Sequence, residues 1–217
     1  MKIFKKLILI LLFATLSISQ SYSMNQTTHL HVAANKGKIE LIKNLIDTGA
    51  NVDAEDEGGS TPLHLATWKD HVNCVEFLLC HGAKVNKKNN HGYTSLHYAS
   101  CKGNIECLKL LLNNKADINA KSKNNGSAPL HLATDNGHLN CVEFLLCHGA
   151  KVNKKVTKHG YTSLHLAASK GFTDCVILLL SKGALTNETD NKGQTPLYYA
   201  RKQEIINLLM LINYENI

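Results

Sequence analysis

The phrases TPLHLAT at residues 61–67 and TSLHLAA at 162–168 are two statements of one pattern, T-x-L-H followed by an apolar, alanine-containing turn. Aligning on that pattern places equivalent positions at Thr28, Thr61, Thr94, Ala128, Thr162 and Thr195, spaced by 33, 33, 34, 34 and 33 residues. A longer copy lies inside the same register: HVNCVEFLLCHGAKVNKK at 71–88 returns as HLNCVEFLLCHGAKVNKK at 138–155. A fixed period of this size marks an array of supersecondary units, none of which can bury its apolar face alone.

Each unit reads as two short helices. The threonine is suited to cap the first, its hydroxyl accepting from an otherwise unpaired N–H, and a proline at the next position has the helical φ already set. Leucine follows two places on (Leu30, Leu63, Leu96, Leu130, Leu164, Leu197) and alanine five places on (Ala33, Ala66, Ala99, Ala133, Ala167, Ala200), a filler of the core and a site of close helix approach. The second helix carries Val75, Leu78, Leu108, Leu111, Val142, Leu145, Val176 and Leu179 at i, i+3 spacing on one face. Gly49, Gly82, Gly149 and Gly183 then supply the left-handed residue that ends it.

These phrases resemble ankyrin repeats over roughly residues 25–212. The resemblance implies an all-α fold: a solenoid of paired antiparallel helices with projecting β-hairpin loops and a concave surface that binds other proteins. The expected divisions are a signal segment at 1–23, a cap-like first repeat at 24–53, repeats at 54–86, 87–119, 120–153 and 154–187, and a truncated sixth repeat with its tail at 188–217. Three departures stand out. Lys115 occupies the place of a terminating glycine, and Ala128 lacks the capping hydroxyl, each misfit costing about 1 kcal/mol. Both fall where repeats three and four meet, which is therefore expected to be the weakest junction. The last repeat lacks three residues between its helices, running from Ala200-Arg201-Lys202-Gln203 into Glu204-Ile205-Ile206, and reads as a degenerate C-terminal cap.

The N-terminus reads as a secretory signal: Lys2, Lys5 and Lys6, an apolar run from Leu7 to Phe13, and small residues before an expected cut after Ser23. The run is short of the roughly 20 residues that a membrane span needs. The chain is thus expected to be exported, periplasmic or secreted, or cytoplasmic if Met24 is the true start. Its net charge of +7 falls to +4 once those three lysines are removed. Arg201 is the only arginine, so the planar fork that reads guanine edges is nearly absent and specific nucleic-acid recognition is disfavoured.

Of seven cysteines, Cys74, Cys107, Cys141 and Cys175 share one register, in helices expected roughly 8–10 Å apart. That is farther than a disulfide allows, so they read as buried small hydrophobes, with Cys80 and Cys147 more exposed. Five of twelve histidines, His31, His64, His97, His131 and His165, occupy the T-x-L-H position, where the resemblance implies bonds to the threonine and to backbone. Successive members are too far apart to share a zinc ion. His71 with Cys74, or Cys80 with His81, offers two ligands without a second pair. No nucleophile elbow, phosphate loop or carboxylate pair is visible. No catalytic residue, metal or cofactor is therefore expected.

What varies between repeats is the expected recognition surface. The resemblance puts Glu57, Ser60, Asn90, His91, Tyr93, Asn125, Ser127, His159, Tyr161 and Gln194 on hairpin tips. It puts Asn35, Lys36, Trp68, Lys69, Cys101, Lys102, Asp135, Asn136, Ser169, Lys170 and Lys202 in the groove. Lys36, Lys69, Lys102 and Lys170 share a register broken at Asn136, while Trp68, Tyr93 and Tyr161 add rigid aromatic area of the kind that anchors interfaces. Trp68, Lys69, Tyr93, Lys102, Asn136, Tyr161 and Lys170 are the expected partner-binding residues, and a monomer gripping an acidic protein segment is the expected arrangement. The composition and signal also resemble exported ankyrin proteins of intracellular bacteria, which implies a host-directed role; a periplasmic protector or inhibitor of an envelope enzyme is the rival. Lys84, Lys87, Lys88, Lys151, Lys154 and Lys155 form a second basic group on the loop side, open to nonspecific contact with anionic membrane or nucleic acid, or serving solubility alone.

Overall fold

The computed structural model describes residues 29–215; the expected signal segment, Met24 and the first capping residue, Thr28, lie outside the described residues. The chain divides into two compact units, Met1–Ala83 and Lys84–Ile217. In the first, α1 covers 29–35, followed by α2 (Ile39–Asp47), α3 (Pro62–Trp68) and α4 (Val72–Cys80). In the second come α5 (Ser95–Lys102), α6 (Ile105–Asn113), α7 (Pro129–Asp135), α8 (Leu139–Cys147), α9 (Ser163–Lys170), α10 (Thr173–Ser181), α11 (Pro196–Tyr199) and α12 (Gln203–Glu215). No strand occurs among the described residues, so the fold class is all-α as expected.

Each repeat is a helix pair folded back through a short turn, α3 on α4, α5 on α6, α7 on α8 and α9 on α10. Within the second unit the first helices of successive repeats, α5, α7, α9 and α11, lie side by side. The i, i+3 face of the second helices is the core: Val75, Leu78, Leu108, Leu111, Val142, Leu145, Val176 and Leu179 have no exposed surface. Alanine on the first helix is equally buried at Ala33, Ala66, Ala99, Ala133 and Ala167, where a larger side chain would hold neighbouring helices apart. The cysteine column Cys74, Cys107, Cys141 and Cys175 is buried with it, and burial raises the Cys74 and Cys175 thiols above their ordinary range. Cys80 and Cys147 are exposed free thiols.

The projecting loops are tight hairpin turns. Asp56 N–H donates to Ser60 O at 2.9 Å, Asn89 to Tyr93 at 3.0 Å, Ser122 to Ser127 at 2.9 Å, Val156 to Tyr161 at 2.9 Å and Asp190 to Gln194 at 2.9 Å. A second bond closes four of these turns, Gly59, Gly92, Gly160 and Gly193 N–H donating to Asp56, Asn89, Val156 and Asp190 O, and no strand ladder forms among the described residues. In the second unit each loop is also pinned to the next, Lys123 N–H donating to His91 O at 2.9 Å, Thr157 to Asn125 at 2.7 Å and Asn191 to His159 at 3.0 Å.

The capping scheme differs in detail from the sequence expectation. Thr61, Thr94 and Thr162 have the extended backbone of a cap, yet their hydroxyls sit 2.8–2.9 Å from the Nδ1 of His64, His97 and His165. Only at Thr162 does the hydroxyl also accept from a helix N–H, that of His165 at 3.5 Å. The ring nitrogen is the nearer partner and takes over the exchange.

Lys115 does adopt the left-handed conformation, at φ 65°, and its N–H closes the helix on Leu112 O. Asp70, at φ 59°, does the same at the end of α3, where the equivalent repeats use Gly37, Gly103, Gly137 and Gly171. Ala128 keeps the backbone half of the cap, its N–H donating to His131 Nδ1 at 3.1 Å, but supplies no hydroxyl. Thr61, Thr94 and Thr162 are accommodated at 1% exposure, so a threonine fits this site too. The double variant Lys115→Gly/Ala128→Thr is therefore expected to gain about 2 kcal/mol, readable as a higher thermal midpoint of the full chain; an unchanged or lower midpoint refutes the assignment of the weak junction.

The sixth repeat corrects one sequence reading. Ala200 is not a helix-packing alanine: α11 is a single turn, and Ala200 lies beyond it in extended backbone (φ −66°, ψ 127°) and half-buried. With three residues missing, the chain must leave the first helix early to reach α12. Leu197 is consequently half-buried, unlike its fully buried counterparts Leu30, Leu63, Leu96, Leu130 and Leu164.

Candidate functional site

Three columns of polar side chains tie repeat to repeat, and they account for most of the residues that could be mistaken for chemistry. In the T-x-L-H column, Nδ1 accepts from the backbone N–H of Thr61, Thr94, Ala128 or Thr162 at 3.0–3.2 Å. Nδ1 is therefore the unprotonated nitrogen and Nε2–H the donor. That donor reaches a carbonyl of the following repeat: His31 to Ser60 at 2.9 Å, His97 to Ser127 at 3.1 Å, His131 to Lys154 at 2.7 Å and His165 to Gln194 at 3.0 Å. Burial lowers His97 and His131 from 6.5 to about 4, outweighing the carbonyl bonds that favour protonation, and lowers His165 as well.

A second histidine column was not foreseen. His71 Nε2 bonds Asn35 O at 3.1 Å in the first unit, and His138 Nε2 bonds Cys101 O at 3.0 Å in the second. His71 Nε2 is thus spent on backbone. The third column is asparagine. Asn86, Asn119 and Asn153 each donate their amide to a carbonyl of the next repeat (Lys115, Gly149, Gly183) at 3.0–3.3 Å, and each accepts a backbone N–H (Asp117, Lys151, Leu185) at 2.7–3.0 Å. The recurrence of this asparagine 25 residues after the capping position is visible in the sequence.

The expected partner-binding residues fall on the ends of the first helices and on the hairpins. In the first unit, Trp68 is the half-buried last residue of α3 and Lys69 is its exposed cap. In the second, Lys102 ends α5, Asn136 caps α7 and Lys170 ends α9, all exposed. The structure brings these three ends together. Asn136 amide approaches Cys101 Sγ at 3.8 Å and holds Leu132 O at 2.8 Å, while Lys170 Nζ lies 3.6 Å from Asp135. The lysine register is thus balanced at Asp135 as well as broken at Asn136. Tyr93 and Tyr161 are half-buried: Tyr93 packs its ring 5.4 Å from His97 and 5.9 Å from Tyr98, and Tyr161 packs 5.4 Å from Tyr199 and 5.9 Å from His165. Both tyrosines brace the hairpins and remain partly exposed.

Charge in the second unit is segregated by element. Three of its connecting segments, 84–93, 114–127 and 148–161, hold ten lysines and one carboxylate, Asp117, while the last, 182–195, holds two of each. The helical segments 95–113, 129–147 and 163–181 hold three lysines and four carboxylates. The loop side is therefore strongly positive, and the helix side nearly neutral.

A family model described as ankyrin repeats (3 copies) matches residues 3–89, 84–156 and 151–217. No curated protein matches the sequence. Among the described residues, no helix is long and apolar enough to cross a membrane, and no group of three metal-ligating side chains occurs.

Proposed function

The chain belongs to the ankyrin repeat family, and we propose that it is a non-catalytic protein-binding module whose repeat-specific side chains at the helix ends and hairpins grip one partner. One observation carries this reading. Histidine, asparagine and apolar side chains that recur between repeats are spent on holding the stack, whereas the half-buried positions Cys101, Asp135 and Ser169 at the ends of α5, α7 and α9 differ from repeat to repeat, and Asn136 interrupts the exposed lysine register of Lys102 and Lys170. Sequence variety on a repeated frame is what recognition of one particular surface requires.

The partner segment is acidic in this proposal, supported by exposed Lys69 and Lys102 and by the basic loop side of the second unit. Reversing Lys69, Lys102 and Lys170 to glutamate is expected to slow association about tenfold at low salt, the difference shrinking as salt rises. The measurement is stopped-flow or surface association against the partner recovered by affinity purification; on-rates that stay the same at low salt exclude an acidic partner. Export with a host-directed role is proposed from the N-terminal signal pattern, and finding the processed chain only in the envelope of the producing cell would reject delivery.

A further inference from the structure

Beyond protein binding, we propose that a cleft on the hairpin side of the second unit, lined by Lys88, Lys121 and Lys123 with Asn89, Asn90 and Ser122, binds an anion bearing two or more phosphate groups.

The cleft has a volume of about 610 Å³ and lies where the hairpins of the third and fourth repeats meet. Its walls are fixed by backbone, since Lys123 N–H donates to His91 O at 2.9 Å and Lys88 Nζ donates to Lys121 O at 3.0 Å. The latter bond aims the Lys88 ammonium and leaves two of its three protons to donate. The side chains of Lys121 and Lys123 are exposed and form no ion pair or hydrogen bond among the described residues. Lys151 and Lys154 stand close by, and Lys154 is held by Asn119 O. Burial and the ammonium groups of Lys121, Lys151 and Lys88 lower Lys154 against the single opposing carboxylate, Asp117, so these positive charges repel one another in the unliganded chain.

Crowding of like charge at fixed positions is the condition under which a multiply charged counter-ion binds as a unit rather than as a diffuse cloud. The chemistry of the lining chooses the ligand. Three ammonium groups suit phosphate oxygens, Asn89 and Ser122 being spent on Tyr98 and Asn125 within the hairpins, whereas no aromatic side chain lines the cleft to stack a nucleobase. With no arginine there, recognition is of charge number and spacing rather than of a planar group.

The test is calorimetric titration of the full chain with inorganic tripolyphosphate at low salt. One saturable site is expected, with affinity reduced at least tenfold in Lys88→Gln/Lys121→Gln/Lys123→Gln. The control Lys182→Gln/Lys192→Gln/Lys202→Gln, which removes the same charge from other exposed positions of the unit, is expected to stay within about twofold of the parent. Lys121→Gln/Lys123→Gln, which breaks no bond of the protein, keeps the test open should loss of Lys88 loosen its loop. Unsaturable binding, or equal loss in both triple variants, overturns the proposal, as does binding of single-stranded RNA without binding of tripolyphosphate. Co-sedimentation with phosphatidylcholine vesicles, with and without a phosphoinositide, then separates the two sources of the same chemistry. Pelleting that tripolyphosphate reverses assigns a lipid headgroup, and binding in solution alone assigns a free anion. The outcome is independent of the protein-partner experiment, which uses other residues.

Discussion

Lowering the pH from about 7 to about 4.5 is expected to remove on the order of 5 kcal/mol of folding stability, through His97 and His131 alone. Both rings are neutral in the folded chain because Nδ1 accepts a backbone N–H and cannot take a proton without setting two donors face to face. Burial lowers each from 6.5 to about 4, and Lys88 and Lys154 add repulsion at His97 and His131 respectively. The unfolded chain therefore binds more protons between these two values. The contribution of each ring is fully present above pH 6.5, declines as pH falls below it, and is gone below about 4. A shift of that size corresponds to about 3 kcal/mol per ring, and His165, lowered in the same direction, adds to it. Against typical stabilities of about 5–15 kcal/mol, the chain should lie close to its unfolding midpoint near the acid end of that window. Urea titrations across the range measure the effect, and imidazole resonances of the folded chain assign it. Rings that titrate near their ordinary value while the protein stays folded would refute the tautomer and the burial argument together.

The same histidines show what the sequence makes legible and what it hides. The phrase that sets the register also contains the cap, the first-helix core leucine and the bridging ring, so repeat length and buried columns follow from one alignment, and the role of T-x-L-H from the family resemblance it carries. The carbonyl that each Nε2 finds does not. His131 turns to Lys154 whereas His97 and His165 reach the residue before the next cap, and only the path of the intervening loop decides between them. Asn86, Asn119 and Asn153 recur at a fixed place and could have been read, but polar residues in loops carry no apolar period to call attention to them. The expected partner-binding residues lie at helix ends and on hairpins, yet their ion pairs and ring contacts depend on cross-repeat geometry. Lys170 against Asp135 is one case and Tyr161 against Tyr199 another. The segregation of lysine to the loops of the second unit was present in the sequence throughout. Summing charge over the whole chain concealed it, because most carboxylates of the unit lie on the helices and most of its lysines between them.

Gly92→Ala is expected to destabilise the chain by about 3–4 kcal/mol, and Gly149→Ala by only about 1 kcal/mol, although both glycines are left-handed. Gly92 has φ 76° and Gly149 φ 93°, so the backbone strain imposed by a Cβ is comparable at the two sites. The surroundings are not. A Cβ on Gly92 would lie 2.4 Å from the backbone nitrogen of Lys123, whereas one on Gly149 would meet nothing within 4 Å. The obstructing atom is itself fixed by its bond to His91 O, so it cannot retreat without breaking the tie between the third and fourth hairpins. Strain alone would make the two variants alike; close approach of neighbouring loops makes them differ by about 2–3 kcal/mol. Chemical denaturation of the pair supplies the comparison, and equal losses would mean that the hairpins do not touch as described. Because Gly92 and Lys123 also wall the basic cleft, Gly92→Ala should weaken tripolyphosphate binding without removing a charge, and Gly149→Ala should leave it unaltered. That result would attribute the site to the positions at which the hairpins hold their lysines rather than to the number of lysines.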